Sequence, residues 1–262
     1  MNDEMNNKIV LVTGAASGIG RAAARLFAEA GATVYGADLD KDGLRRTEEL
    51  IKDDGGTFYL RRTDVSAERD VRELIAQIDA EQSRLDIACN NAGMVGPTSL
   101  VEDYPTEQFD RVVAVNLRSV FLGMKYELPL MKRTGGVICN SASVAALSGP
   151  GGLSAYAASK HGVYGLTRSA AHEYAGAGVR INAIAPGRTD TPMAAQAARG
   201  NPAFAAEAHA LPAGRVADPI EIGRAMFWLC SPAAGYVYGH MLVVDGGATI
   251  GGPGFTGDAS SI

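Results

Sequence analysis

No run of about 18 uninterrupted apolar residues occurs in the chain, the length a helix needs to cross a bilayer, so no membrane span is expected. The first eight residues are polar and acidic, without the basic-then-apolar order of a secretory leader. There are only three cysteines, Cys89, Cys139 and Cys230, too far apart for a disulfide framework or a zinc cluster. Cys89 and Cys139 fall in segments that read as buried strands, where a thiol is inert. Positive charge is also scarce. Lys and Arg number 24 against 29 Asp and Glu, a net charge of −5 with no basic block, which argues against sequence-independent nucleic-acid binding. The four histidines have no partners at ligand spacing, so no metal site is expected. A cytoplasmic protein is the default that remains.

What the chain does have is alternation. Short β-branched runs at residues 8–12, 32–38, 57–61, 85–89, 136–140 and 179–185 are separated by helix-length amphipathic stretches. Helices are expected at about 18–30, up to about 53, and at 67–82, 106–131 and 154–174. Strands joined by helical crossovers imply a parallel sheet covered on both faces, and right-handed crossovers make it a doubly wound Rossmann-type α/β fold. About seven strands in one domain suit 262 residues that are 47% hydrophobic. Ligands of such sheets bind in the crevice at the carboxyl ends of the strands. The Ala-rich segment 189–214, interrupted by Pro192, Pro202 and Pro212, is placed to act as a lid over that crevice. The Gly-rich segment 251–262 reads as a tail.

The first strand gives way to the first helix through TGAASGIG at 13–20. Glycines at Gly14, Gly18 and Gly20 let the backbone turn sharply and approach a pyrophosphate, with Ser17 and Ile19 between them and the helix N-terminus meeting the charge. Asp38 closes the second strand. Its carboxylate can accept hydrogen bonds from the adenosine ribose hydroxyls and repels a 2′-phosphate, while Ala15, Ala16 and Leu39 offer no cation to hold one. NAD is therefore the expected cofactor, although Lys41, Arg45 and Arg46 lie nearby. An ordinary alternative for Asp38 is an N-cap of the following helix.

With these residues in view, the sequence resembles the short-chain dehydrogenase/reductase family from Lys8 to about Gly247. The TGxxxGxG turn, Asp64-Val65, Asn90-Asn91-Ala92-Gly93, Pro186-Gly187 and Val244-Asp245-Gly246-Gly247 all occur in the family's order. So do Asn116, Ser143, Tyr156 and Lys160, which match its catalytic tetrad. Alone, each of the four has a plain structural explanation: packing, a solvated charge, a cap, a polar surface residue. Together they imply chemistry. Tyr156 and Lys160 are four apart, on one helix face. The lysine ammonium and the positive nicotinamide ring are expected to lower the phenol's pKa and make Tyr156 the acid/base. Ser143 is expected to hold the substrate oxygen, and the resemblance gives Asn116 an ordered water linking Lys160 to solvent. It also assigns Asp64 and Val65 to the adenine, and Asn91, Ala92, Gly93, Pro186, Gly187, Thr189 and Thr191 to the cofactor. Arg188 replaces the apolar or aromatic residue common at its position.

The leading expectation is an NAD-dependent dehydrogenase or reductase for small to medium, mostly apolar secondary alcohols and ketones. Ser143, Ala145, Leu147, Leu153, Met94 and, in the lid, His209 are its candidate substrate contacts. An NADPH-dependent 3-oxoacyl-carrier-protein reductase fits the same landmarks, but Asp38 and the lack of a basic patch count against it. A non-catalytic NAD-binding sensor or scaffold is the third possibility. The resemblance also implies a homotetramer.

Overall fold

A computed structural model of the protein describes residues 5–200 and 211–250. His209, residues 201–210 of the expected lid and the expected tail at 251–262 lie outside the described residues. The first strand, β1 (Ile9–Thr13), shows how the fold arises. Ile9 and Leu11 join one hydrophobic core while Val10 and Val12 join another, because successive strand side chains point to opposite faces. A strand apolar on both faces must be covered on both.

The cover comes from helices of matching periodicity. On one face α1 (Gly18–Glu29) contributes Ala23, Ala24 and Phe27, and α2 (Lys41–Asp53) contributes Leu44 and Ile51. On the other, α3 (Glu68–Gln82) contributes Leu74, Ile75 and Ile78. Between these helices run β2 (Thr33–Asp38), β3 (Thr57–Arg62) and β4 (Ile87–Asn90). The second half adds α4 (Thr106–Val113), α5 (Ser119–Met131), β5 (Gly136–Ser141), α6 (Ser154–Tyr174) and β6 (Val179–Pro186). It ends with α7 (Pro192–Gly200), α8 (Pro219–Cys230) and β7 (Met241–Val244). The seven strands are all parallel, in the order β3-β2-β1-β4-β5-β6-β7. The expected doubly wound sheet is the one observed. The order in which successive strands are added reverses between β1 and β4, which opens the crevice there.

Two details differ from the sequence expectation. The stretch 106–131 is not one α-helix: residues Ala114–Arg118 form a π-turn between α4 and α5, and Asn116 lies in that turn. Such single π-turns recur at functional sites. The other detail is α8, which begins at a capping box. Asp218 accepts from Ile220 N–H, Glu221 returns to the Asp218 N–H, and Pro219 takes the first turn. All three cysteines are free and buried, as expected for core thiols.

Beneath the carboxyl ends of β4 and β5 runs a ladder of buried polar side chains. Asn90 Nδ2 donates to Glu127 Oε2 and to Asn140 Oδ1, each at 3.1 Å, and Asn140 Nδ2 donates to Thr167 Oγ1 at 3.0 Å. Glu127 is fully buried, and burial pushes its carboxyl from 4.5 up to about 7. The folded state thus favours the neutral acid. That contribution to stability is whole below the unfolded value of 4.5 and is lost as pH rises through about 7. Glu127→Gln cannot ionise. Measured by urea unfolding, its stability relative to the parent is expected to rise by about 3 kcal/mol between about pH 4 and about pH 8. A difference that stays constant with pH would contradict a buried, neutral Glu127.

Candidate active site

A cleft of about 930 Å3 opens at the β1–β4 switch point. Gly14, Ser17, Gly18, Ile19, Gly20 and Asp38 line one side, and Val65, Asn91, Ala92, Gly93 and Met94 line another. The rim beyond includes Thr191, Pro192, Met193, Gln196 and Ala197, so α7 borders the cleft. The glycines are required by crowding. A Cβ on Gly20 would lie 2.1 Å from the Gly14 carbonyl oxygen, and one on Gly14, at φ +72°, would lie 2.8 Å from Asn91 Nδ2. Backbone therefore forms this wall, and the α1 N-terminus presents its N–H groups there with no side-chain cap at Ser17. A turn bare of side chains, at a helix N-terminus, fits a dinucleotide pyrophosphate.

The turn is fastened from below by a residue outside the expected contacts. Thr13 Oγ1 accepts the N–H groups of Asn91 (2.9 Å) and Ala92 (3.1 Å). Asn91 Nδ2 returns a bond to the Thr13 carbonyl at 3.0 Å. The position of Thr13 at the end of β1, opposite β4, was the available signal.

Asp38 is not the helix cap; Asp40 is, accepting from the N–H groups of Asp42 and Gly43. Asp38 instead accepts from Ala16 N–H at 3.1 Å and Asp40 N–H at 3.0 Å, with its carboxylate facing the cleft. Three nearby arginines are engaged elsewhere. Arg45 pairs with Asp42, Arg46 with Glu49, and Arg21 bonds Thr47 and the Ala16 carbonyl. Leu39, half exposed, occupies the adjoining wall.

The four tetrad candidates converge behind Gly93. Lys160 is buried and its ammonium donates to the Ser141 carbonyl at 2.7 Å, lying 5.7 Å from the Tyr156 ring centroid. A Cβ on Gly93 would be 3.6 Å from Lys160 Nζ. Ser143 is close enough to the Tyr156 phenol to lower its pKa, and its Oγ accepts the Ala145 N–H at 3.2 Å. Asn116 spends its amide on Met94: Met94 N–H donates to Oδ1, and Nδ2 donates to the Met94 carbonyl, both at 2.8 Å. Nδ2 also reaches Ser159 Oγ at 3.1 Å. The π-turn thus aims Asn116 at the loop that floors the site.

The expected lowering of the Tyr156 pKa is not what the protein produces by itself. Burial raises the phenol, and only the Ser143 hydrogen bond pulls it down. Burial likewise pushes the Lys160 ammonium from 10.5 to about 8. Desolvation disfavours the charged form of both groups.

Other expected contacts fall outside the cleft wall. Asp64 turns its carboxylate to the Ser66 N–H and hydroxyl. Pro186 and Gly187 close β6 against β7, where a Gly187 Cβ would lie 2.7 Å from Asp245. Thr189 is buried, bonding the Gly187 carbonyl and bridging to Ala217. Ala145 is buried and Leu147 half exposed. The loop carrying Leu147 and Leu153 meets the cleft rim beside Thr98, where Ser99 N–H bonds the Gly152 carbonyl at 3.0 Å.

Similarity to known proteins bears on this geometry. A family model described as enoyl-(acyl carrier protein) reductase matches residues 14–249. The chain is 37% identical to cyclohexanol dehydrogenase of Acinetobacter sp. (strain SE19), across 95% of this chain and 98% of that protein. It is 40% identical to cis-4-hydroxycyclohexanecarboxylate dehydrogenase of Sinomonas cyclohexanicum, across 95% and 99%. The 3-oxoacyl-[acyl-carrier-protein] reductase FabG of Thermotoga maritima is 37% identical across 94% and 99%. The crystal structure of levodione reductase superposes with a TM-score of 0.89 at 36% identity, covering 92% of this chain and 97% of that one. By its fold, its glycine turn and these relatives, the chain is an oxidoreductase of the short-chain dehydrogenase/reductase family.

Proposed function

We propose that the protein is an NAD-dependent dehydrogenase/reductase for small to medium, mostly apolar secondary alcohols and ketones, ring alcohols of the cyclohexanol type foremost. The observation that carries this reading is the gathering of Ser143, Tyr156 and Lys160 behind Gly93, which itself lines the cleft with the glycine turn. Two relatives act on cyclohexane-ring alcohols by name, which supports the choice of ring. Met94, Val95 and Met193 give the cleft apolar surface suited to such a ring.

The cofactor would be held by the turn at Gly14, Ser17, Gly18, Ile19 and Gly20, by Asp38 and Val65, by Asn91, Ala92 and Gly93, and by Tyr156, Lys160 and Thr191. Asp64, Pro186, Gly187 and Thr189 would act through the backbone. When bound, NAD supplies the acceptor for the hydride leaving the alcohol carbon. Ser143 holds the alcohol oxygen, and Tyr156 takes its proton as the carbonyl forms. Lys160 anchors the phenol's surroundings and favours the phenolate. Asn116 fixes the Met94 loop, and through a water would pass the proton from Lys160 outward. In reduction the same groups give the proton back. Asp38 favours NAD, because a 2′-phosphate would approach a carboxylate with no unengaged arginine among Arg21, Arg45 and Arg46. That same feature disfavours an NADPH-dependent 3-oxoacyl-carrier-protein reductase despite the FabG relative. Residues 189–214 serve as the lid, and the working protein is a cytoplasmic homotetramer.

Tyr156→Phe is expected to lower kcat for cyclohexanol oxidation by about 10²–10⁴-fold while leaving NAD affinity within about twofold. Retained turnover would remove Tyr156 from the chemistry, and lost NAD binding would make its role structural. Lys160→Met removes the ammonium 5.7 Å from the Tyr156 ring, so the alkaline rise of cyclohexanol oxidation should move to higher pH; an unmoved profile would refute that coupling. Asp38→Ala should shift the ratio of kcat/KM for NAD over NADP by about tenfold or more toward NADP, about 1.4 kcal/mol. A parent enzyme that already prefers NADPH would overturn the NAD assignment and favour the carrier-protein reading.

A further inference from the structure

The carboxyl of Glu127 has one oxygen with no hydrogen-bond partner although it is entirely buried. Leaving a buried polar oxygen unsatisfied is costly, and such groups are commonly served by an internal water. Beside it is a void of about 10 Å3, bordered by Thr13, Asn90, Ser119, Gly123 and Glu127 on its polar side. That is about the room one water needs. The polar atoms of Thr13, Asn90, Ser119 and Glu127 offer it partners.

The position matters because of what lies one residue further along each strand. Asn90, held by Glu127, precedes Asn91, which bonds Thr13 and lines the cleft. Asn140, held by Asn90, precedes Ser141, whose carbonyl anchors Lys160 and whose hydroxyl donates to Asn91 Oδ1 at 3.2 Å. The lower layer of Glu127, Asn90 and Asn140 therefore supports the upper layer of Asn91, Ser141 and Lys160. Gly123 records how tight this layer is: a Cβ there would lie 2.6 Å from Asn90 Oδ1 and 3.0 Å from Glu127 Oε1.

We propose that Glu127 is a positioning residue for the oxidoreductase site, which with one water in the adjoining void sets the Asn90–Asn140 pair and thereby the dinucleotide cradle and the Lys160 anchor. It touches neither substrate nor cofactor. Its surroundings leave its own proton as the local variable. α3 faces the void with Val71, Leu74 and Ile75 and β1 with Leu11 and Thr13, none of them charged. A titratable group near it is the Cys89 thiol, which the neighbouring Cys230 thiol and burial hold well above the usual thiol value. Burial places the Glu127 carboxyl itself at about 7.

The inference rests on the reading that the cleft takes a nicotinamide dinucleotide, so the parent is first titrated with NADH and NADPH by fluorescence. Binding of neither would sink that reading, whereas Glu127 is tested by ratios of variant to parent with whichever one binds. Glu127→Gln keeps the shape and an acceptor oxygen, and should keep Kd and kcat at neutral pH within about twofold. Glu127→Leu and Gly123→Ala remove or displace the support, and should weaken dinucleotide binding and lower kcat by about tenfold each, the scale of one lost buried hydrogen bond. A purely structural role would lower the unfolding midpoint of these two and leave Kd and kcat of the folded protein at parental values, which overturns the proposal. Glu127→Gln as impaired as Glu127→Leu would also overturn it. Should both disruptive variants fail to fold, the isosteric one decides: the parent's Kd should change across neutral pH and that of Glu127→Gln should not. Coincident profiles would be fatal to the idea.

Discussion

The site depends on how closely β1 and β4 come together where they part. The Thr13 hydroxyl sits between them, accepting two N–H groups from the start of the Asn91 loop while its own carbonyl takes the Asn91 amide. No side chain fits in the turn above, because Gly14 and Gly20 already bring backbone within contact of backbone and of Asn91. A cleft walled by main-chain N–H groups follows from that fit, and such a wall suits a pyrophosphate better than an apolar ligand. Larger residues at 14 or 20 would fill the wall before any ligand arrived.

The electrostatics of the Tyr156–Lys160 pair are set by burial. Lys160 and Tyr156 are both less inclined to ionise than in water, each for want of solvent. Under the proposed function, this disfavours a resting ion pair and suits the two groups to passing a proton. A positively charged nicotinamide ring would add the cation that the phenolate lacks, so deprotonation of the alcohol would be coupled to occupancy of the cleft by the oxidised cofactor. Asn116 reaches this arrangement only because the helix widens to a π-turn beneath it.

Much of this was legible in the residues. The alternation of strands and helices implied the parallel sheet, and the glycine turn together with Asp38 located the cleft, because local spacing alone determines both. Asp218-Pro219 followed by Glu221 carried a capping signal for α8 that spacing could also have revealed. What was not legible arises from tertiary packing. The π-turn at Ala114–Arg118 breaks a stretch whose composition is helical throughout. Thr13 as a fastening point and Glu127 as a buried acid depend on which strands become neighbours. The pKa values depend on desolvation, which no local pattern encodes. Gly187 also fastens β6 to β7, packing against Asp245, a contact its motif did not signal.

The central claim is a hydride transfer from an alcohol carbon held at Ser143 and Tyr156. It is tested most directly by incubating the purified protein with NAD and cyclohexanol deuterated at the carbinol carbon, then weighing the reduced cofactor by mass spectrometry. The account predicts NADH carrying one deuterium, formed together with the ketone. Reduced cofactor without deuterium, or none formed with any cyclic or open-chain secondary alcohol, would contradict it.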